Sequence, residues 1–435
     1  LDWLVGRRGE IVGAVDLGSR QVRVLIARRG DDGVIQIIGH GTEPSRGCVS
    51  QGVIQDLGAA QLALKRACAA AEKEAGVKVH SLFCGVNGKN VETYVREGTV
   101  KLDKDSVRLE HLEEALDMAS RDVLSPGKSV ITSITGQEWY VDDERVAEPI
   151  GILGSILKTR VHFALLPTVI EDNLISCVES LGRDLEGTVF LPLAASLGCL
   201  TPEDMELGVA VLDMGRTTTG LAVYRDRRIL ATHCFDWGGF HMTRDVAAGL
   251  HVSFDEAVEL IVEYGISERL ISEEANEDEA VADFAEEESA GGGTQIKLKS
   301  NVRGAPSIVD RSMLDMIVFE RSKELMTKVR QHLHARGLAK NLVRGIVLTG
   351  GCAAIRNQAQ LAEAVFQVSA RVGLPDGIEV LPQQVNHAAF APVSGVVRHG
   401  FHYRDALRSG RVVTEHGMVG GFFRQIGRVV TRYFL

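Results

Sequence analysis

Two aspartates in this 435-residue chain stand in the same local setting, 197 positions apart. Asp16 lies in Gly13-Ala-Val-Asp-Leu-Gly-Ser-Arg-Gln-Val-Arg-Val-Leu-Ile-Ala27, and Asp213 in Val209-Ala-Val-Leu-Asp-Met-Gly-Arg-Thr-Thr-Thr-Gly-Leu-Ala-Val-Tyr224. Each segment runs from apolar residues into Asp-x-Gly, through a short polar turn, and back into apolar residues, the plan of a β-hairpin. A turn with glycine lets backbone N–H groups approach phosphate oxygens, hydroxyls add donors, and the preceding carboxylate can hold a hydrated Mg²⁺. The candidates are Asp16, Gly18, Ser19, Arg20 and Gln21 on the first turn, and Asp213, Gly215, Arg216, Thr217 and Thr218 on the second. Either hairpin alone is an ordinary turn, but two facing each other can grip one polyphosphate from opposite sides. A third piece, Gly345-Ile-Val-Leu-Thr-Gly-Gly-Cys-Ala-Ala-Ile355, reads as a buried strand, a glycine pair and a helix start. Gly350, Gly351 and Cys352 could lie against a flat ligand such as adenine or its ribose, because glycine lets backbone come close.

A duplicated hairpin implies two similar halves, and the length agrees, since single cores stop growing at about 250–300 residues. The composition is that of a globular protein, with 45% hydrophobic and 24% charged residues. No apolar run reaches the roughly 18 residues a bilayer span needs, and the start shows no signal peptide, so a cytoplasmic location is expected. Seven dispersed cysteines without a C-x-x-C pair suit buried thiols in a reducing compartment, and the histidine pairs 332/334 and 399/402 lack the partners of a metal site. The net charge of −10 is concentrated, because residues 273–288 hold nine acidic groups and leave −1 for the rest. Bulk nucleic-acid binding is therefore not expected. That run, followed by three glycines, reads as a solvated loop over 273–293. Pro126-Gly-Lys-Ser129 has the end of a P-loop without its first glycine and reads as a turn.

At the two hairpins and the glycine pair, in this order, the chain resembles the actin, Hsp70 and sugar-kinase superfamily. More narrowly it is similar to the FtsA family of bacterial cell-division proteins, through Ile37-Ile-Gly-His-Gly-Thr-Glu-Pro-Ser-Arg-Gly47, Phe83-Cys-Gly-Val-Asn-Gly-Lys-Asn90, Pro149-Ile-Gly-Ile-Leu-Gly154 and Gly345-Ile-Val-Leu-Thr-Gly-Gly351. The resemblance implies an α/β, actin-like (ribonuclease H-like) two-lobed ATPase fold with an inserted subdomain of the type called 1C. The expected division is 10–84 with 167–205 (1A), 85–166 (1C), 206–248 with 341–400 (2A), 249–340 (2B), a linker over 401–420 and a terminal helix over 421–435. It also implies ATP and Mg²⁺ as cofactors, the metal held through water by Asp16 and Asp213. The implied role is a filament-forming adaptor that links the tubulin-like FtsZ ring to the membrane and recruits later division proteins. The C-terminal peptide of FtsZ would be met in 249–340, where Lys297, Lys299, Arg303 and Arg311 could receive an acidic peptide as well as form a solvated basic face.

The second loop departs from the family's Asp-x-Gly-Gly-Gly-Thr, with Arg216 and Thr217 replacing glycines, and arginine lacks glycine's freedom at positive φ, so either Arg216 swings onto the phosphate as a charged clamp or the site is damaged. The family's Glu and Lys three apart on a following helix become Glu256 and Glu259, which weakens a ribose contact. Nucleotide binding with weak or absent hydrolysis is the expectation. A small-molecule kinase of the same fold would need a general-base aspartate, and none can be nominated. An Hsp70-type chaperone would need a substrate domain, for which too little chain follows Gly400. A pilus-assembly adaptor would share the loops.

The tail carries its own signal. At 100° per residue Phe422, Phe423, Ile426, Val429, Val430, Tyr433 and Phe434 fall within roughly 140°, with Arg424, Arg428 and Arg432 opposite. This predicts an amphipathic helix lying in the surface of an anionic membrane, each arginine contributing about 1 kcal/mol. Glycines 417, 420 and 421 provide a joint before it. The expected location is the cytoplasmic face of the cell membrane at midcell, held peripherally.

Overall fold

In the computed structural model, residues 9–121, 123, 127–275, 295–299, 308–408 and 430–431 are described, with backbone alone for 132–137 and 430–431. The first hairpin joins β1 (Glu10–Leu17) to β2 (Gln21–Arg29), with Asp16 opposite Arg23 and Leu17 opposite Val22. β3 (Ile35–Pro44) continues the meander, and β4 (Val49–Ser50) and β5 (Val53–Ile54) form a small ribbon. α1 (Leu57–Ala75) starts where the Asp56 carboxylate accepts the Ala59 N–H at 3.0 Å, and it buries an alanine-rich face on the sheet. β6 (Ser81–Val86) then returns parallel to β1.

The chain next builds a separate layer from β7 (Glu92–Lys101), α2 (Leu109–Ser120), β8 (Lys128–Val141), β9 (Glu144–Val146) and β10 (Ile156–Pro167), with β10 between β7 and β8. Its cores are small, around Val100, Trp139 and Leu157 and around Val161, Phe163 and Leu165. α3 (Thr168–Glu179), β11 (Asp184–Phe190) and α4 (Leu191–Cys199) lead back, and β11 completes a sheet of order β11-β6-β1-β2-β3.

After α5 (Pro202–Leu207), β12 (Val209–Met214), β13 (Thr219–Arg225) and β14 (Arg228–Phe235) repeat the meander. α6 (Gly239–Leu250), α7 (Phe254–Tyr264), α8 (Glu268–Ala275), the pair β15 (Gln295–Lys297) and β16 (Ile308–Asp310), and the long α9 (Arg311–Ala335) follow. β17 (Ile346–Thr349), α10 (Gln358–Phe366) and β18 (Ala370–Val372) close a second sheet of order β14-β13-β12-β17-β18. In both sheets one hairpin meander sits beside two parallel strands, so the duplication seen in two short segments extends to whole sheets. The central strands are apolar and buried along their length, as strands covered on both faces must be.

The chain passes between the sheets through α4 and returns through α11 (Ala391–Arg408). These helices cross with almost no side chain between them: a Cβ on Gly395 would stand 1.6 Å from the Ala194 carbonyl oxygen, and one on Gly198 1.9 Å from that of Ala391. The far end of α11 is tied to the first sheet by ion pairs. Arg29 bonds both oxygens of Asp405 at 2.6 Å, Arg404 bonds Glu186 at 2.6 Å and the Ile11 carbonyl at 2.7 Å, and Arg408 reaches Glu10 at 2.5 Å. The inserted layer leans on β14: the His162 ring meets the Thr232 hydroxyl at 2.9 Å, and Arg228 pairs with Glu138 at 3.3 Å. Burial holds His162 down at about 4, so it is neutral in that contact.

Three expectations are corrected in part: residues 401–408, expected in a linker, complete α11 because Phe401, Tyr403 and Ala406 are buried, residues 273–275, expected in the acidic loop, end α8, and the terminal helix is interrupted. Val430 and Thr431, expected within a helix, form β19 (Val430–Thr431), parallel to Ser133 and Ile134 of β8. An open strand edge offers unpaired N–H and C=O groups, and consecutive β-branched residues suit extended backbone. The rest of 421–435 lies outside the described residues, as do Arg303 and the acidic segment 276–294.

Candidate functional site

The two hairpin turns meet. Each spans four residues between paired strand ends, 18–21 between Leu17 and Val22 and 215–218 between Met214 and Thr219. The Ser19 and Thr217 hydroxyls lie 2.7 Å apart, and the Gln51 N–H donates to Thr217 at 3.0 Å. Both turns follow the carboxyl ends of central strands, where the flanking parallel strands leave a crevice. The cavity there holds about 500 Å³, within the range of small-molecule sites. Thirteen of the fourteen expected contact residues line it: Asp16, Gly18, Ser19, Arg20, Gln21, Asp213, Gly215, Arg216, Thr217, Thr218, Gly350, Gly351 and Cys352.

The second turn does not need glycine at its altered positions. Neither Arg216 nor Thr217 has a positive φ, so a side chain fits both positions without backbone penalty. Arg216 lies over the Phe240 ring at 5.4 Å, and that ring stacks on Phe254. Burial and then the charge of the neighbouring Arg20 lower its pKa. Opposite them, the first N–H groups of α6 are occupied, Gly239 donating to the Gly215 carbonyl at 3.1 Å and Phe240 to that of Arg216 at 2.6 Å.

The two aspartates differ because of what stands across each hairpin. Asp16 faces Arg23, and their charges are 3.5 Å apart. Asp213 faces Gly220 in the same register. Burial raises the pKa of both. Arg23 opposes the rise at Asp16, whereas Asp213 is pushed up to about 7 by burial and then by the charge of Asp16. Two buried carboxylates that repel each other beside phosphate-sized donors fit a hydrated divalent cation, which would relieve both.

The third loop closes the cavity. Gly350 takes φ 82°, a left-handed conformation, and a Cβ there would strike the Asp213 carboxylate at 2.5 Å, so glycine is required. Cys352 Sγ lies 3.4 Å from the Gly215 carbonyl, and burial pushes its thiol up to about 11, so it is a packed thiol and not a thiolate. The fourteenth residue, Glu256, is not on the cleft wall. Ser253 caps α7 and accepts the Glu256 N–H at 3.2 Å, and the Glu256 carboxylate accepts the Lys299 backbone N–H. The face that α7 gives to the cleft is Val258, Ile261 and Val262. Arg23, Asn87, Thr243 and His387 also line the cavity unforeseen. Arg23 could have been found by counting across the hairpin from Asp16, and Asn87 by its place just past β6.

Of the basic residues considered for a peptide partner, Lys297 is exposed, Lys299 bonds Glu259 at 2.9 Å, and Arg311 bonds Asp315 at 3.4 Å and stands over Tyr264. Among the described residues no helix is long and apolar enough to cross a membrane, and no cluster of three metal-ligating side chains occurs.

A family model described as cell division protein FtsA matches residues 210–395, and one described as the SHS2 domain inserted in FtsA matches residues 88–165. Together they cover more than half of the chain. The cell division protein FtsA of Pseudomonas aeruginosa is 28% identical over 393 residues, 90% of this chain and 89% of that relative. Among solved structures, the PilM-PilN type IV pilus biogenesis complex aligns with a TM-score of 0.61 at 15% identity, over 89% of this chain and 98% of that one. MreB 5 of Spiroplasma citri bound to AMPPNP aligns at 0.52 and 13% identity, over 92% and 99%. The fold is thus α/β and actin-like.

Proposed function

Since the chain belongs to the FtsA family of cell-division proteins, we propose that it is an adaptor that holds the FtsZ ring to the cytoplasmic face of the cell membrane at midcell, with ATP and Mg²⁺ in its cleft. In this reading the protein polymerises and recruits later division proteins. The observation that carries the nucleotide part is the meeting of two duplicated turns, Ser19 against Thr217 at 2.7 Å, in a cavity flanked by Arg20 and Arg216. Asp16 and Asp213 would hold the metal through water, and a bound Mg²⁺ would neutralise phosphate charge there. The chain's own share is to orient: the turns supply backbone donors, and the two arginines converge on one anion from opposite lobes. Removing one of them, Arg216→Ala, is expected to weaken ATP binding about tenfold in isothermal titration, the order of one lost charged hydrogen bond. Unchanged or tighter binding would mean that Arg216 does not clamp phosphate.

The membrane part rests on the aromatic and arginine pattern of 422–434. Two backbone pairs hold Val430 and Thr431 on β8, so engagement of lipid requires their release, a small barrier beside the burial of several aromatic side chains in a membrane. The full chain is expected to float with vesicles containing anionic lipid and to sediment when it ends at Gly417. Equal flotation of both forms would sink the tether. The FtsZ C-terminal peptide is placed on Lys297, Lys299, Arg303 and Arg311, where an acidic ligand would exchange with Glu259 and Asp315 for Lys299 and Arg311.

A further inference from the structure

Resting on the nucleotide reading, we infer that this cleft holds a nucleoside triphosphate by its phosphates and base without reading the sugar hydroxyls, so ribo- and deoxynucleotides are equivalent ligands. The cleft is sharply divided in polarity. Of the described polar side chains that line it, most belong to the two turns, their flanking strands or the end of β6, around the place where phosphate would sit. The others are already engaged or lie toward the first turn. The Thr243 hydroxyl bonds the Gly239 carbonyl at 2.9 Å, Cys352 bonds that of Gly215, and His387, its pKa lowered by burial and then by the charge of Arg23, stands beside the first hairpin.

The remaining wall is where α7 comes against the turn after Gly351, fastened by the Ile266 N–H to the Arg356 carbonyl at 3.1 Å. What it presents is Met242, Val258, Ile261, Val262, Ala354 and Ile355, all apolar. Of the carboxylates of the same helix, Glu256 accepts the Lys299 N–H, Glu259 bonds its ammonium group, and Asp255 acts on Arg216 of the second turn. A sugar hydroxyl brought against this wall finds no side-chain partner and exchanges nothing for its water, so it adds nothing to affinity. A site built to bond a hydroxyl behaves oppositely and rejects the analogue that lacks it. Val262 is 67% exposed, which puts this wall at the mouth of the cavity, where a ribose can keep its hydroxyls in water.

The test is equilibrium binding of ATP, 2′-deoxyATP, 2′,3′-dideoxyATP and inorganic tripolyphosphate to the full chain with Mg²⁺. The three nucleotides are expected to bind within about twofold of one another and tighter than tripolyphosphate. A loss of about tenfold or more on removing the hydroxyls would overturn the inference while leaving nucleotide binding in place. Failure of ATP itself to bind, or binding no tighter than tripolyphosphate, would overturn the nucleotide reading and this inference with it. Val262→Lys, at an exposed position, is expected to create a preference for ATP over the dideoxy analogue of about threefold or more. No gain would remove α7 from the sugar side and overturn the assignment of this wall.

Discussion

Replacing Asp213 with asparagine is expected to stabilise the ligand-free protein at pH 8 while removing its response to Mg²⁺. The carboxyl group is buried, faces Gly220 where its counterpart faces Arg23, and has its pKa raised from 3.8 to about 7. A carboxyl whose pKa is higher in the folded than in the unfolded chain contributes stability that is complete below the unfolded value and is lost as pH rises through the folded one. The loss therefore falls between about pH 4 and 7, and its full size corresponds to roughly 4 kcal/mol at pH 8. Asparagine carries no charge at any of these pH values. Thermal unfolding of wild type and Asp213→Asn should give curves that converge below about pH 4 and separate by several degrees at pH 8, with the variant higher. Adding Mg²⁺ and ATP should raise the wild type and leave the variant almost unmoved. Parallel pH profiles would show that Asp213 ionises freely and that the cleft is wetter than its burial indicates.

Gly395→Ala is expected to be the most damaging single methyl in the protein. At this crossing the added carbon would stand 1.6 Å from the Ala194 carbonyl oxygen and 2.4 Å from its carbon, and both are backbone atoms of a buried helix that cannot rotate aside. The helices would have to separate, opening voids around Phe83, Val396 and Phe401 in the largest core. A loss of about 4 kcal/mol or more, or failure to accumulate as soluble protein, is expected. Gly58→Ala is the matched control. That glycine lies in the first turn of α1 with its nearest neighbour at 3.6 Å, and alanine there should be neutral or stabilising by about 0.5 kcal/mol. Chemical denaturation of the two variants separates them, and equal stability would mean that α4 and α11 are not in backbone contact.

The parts of the site that could be read from the sequence are those whose chemistry is local. Asp-x-Gly and Thr-Gly-Gly specify turns through the backbone freedom of glycine, and a turn shows within a few residues. What was misread depended on direction or distance. Glu256 is expected in the cleft, but the rotation of α7 follows from the burial of Ala257, Leu260 and Ile261 in the second core, and it leaves the Glu256 carboxylate on the Lys299 N–H. Arg216 stands where the family carries glycine, yet the observed φ asks for none, which a comparison of residue types alone does not show. Arg23 matters only through a cross-strand partner, and the apolar wall at Val258 and Ile261 shows its meaning only once α7 is docked. For the tail, periodicity favoured a helix while two β-branched residues met an open strand edge in the fold, a competitor no local pattern announces.

The manner in which α11 is fastened has a mechanical consequence. The helix serves as one side of the crossing about which the two lobes can turn, and it is also the last described element before the tail. Tension applied to the chain beyond Arg408 meets Arg408, Asp405 and Arg404 first, and these pass it to Glu10, Arg29 and Glu186 on the first sheet. Pull on the tail is therefore delivered to the first sheet before it reaches the crossing of α4 and α11.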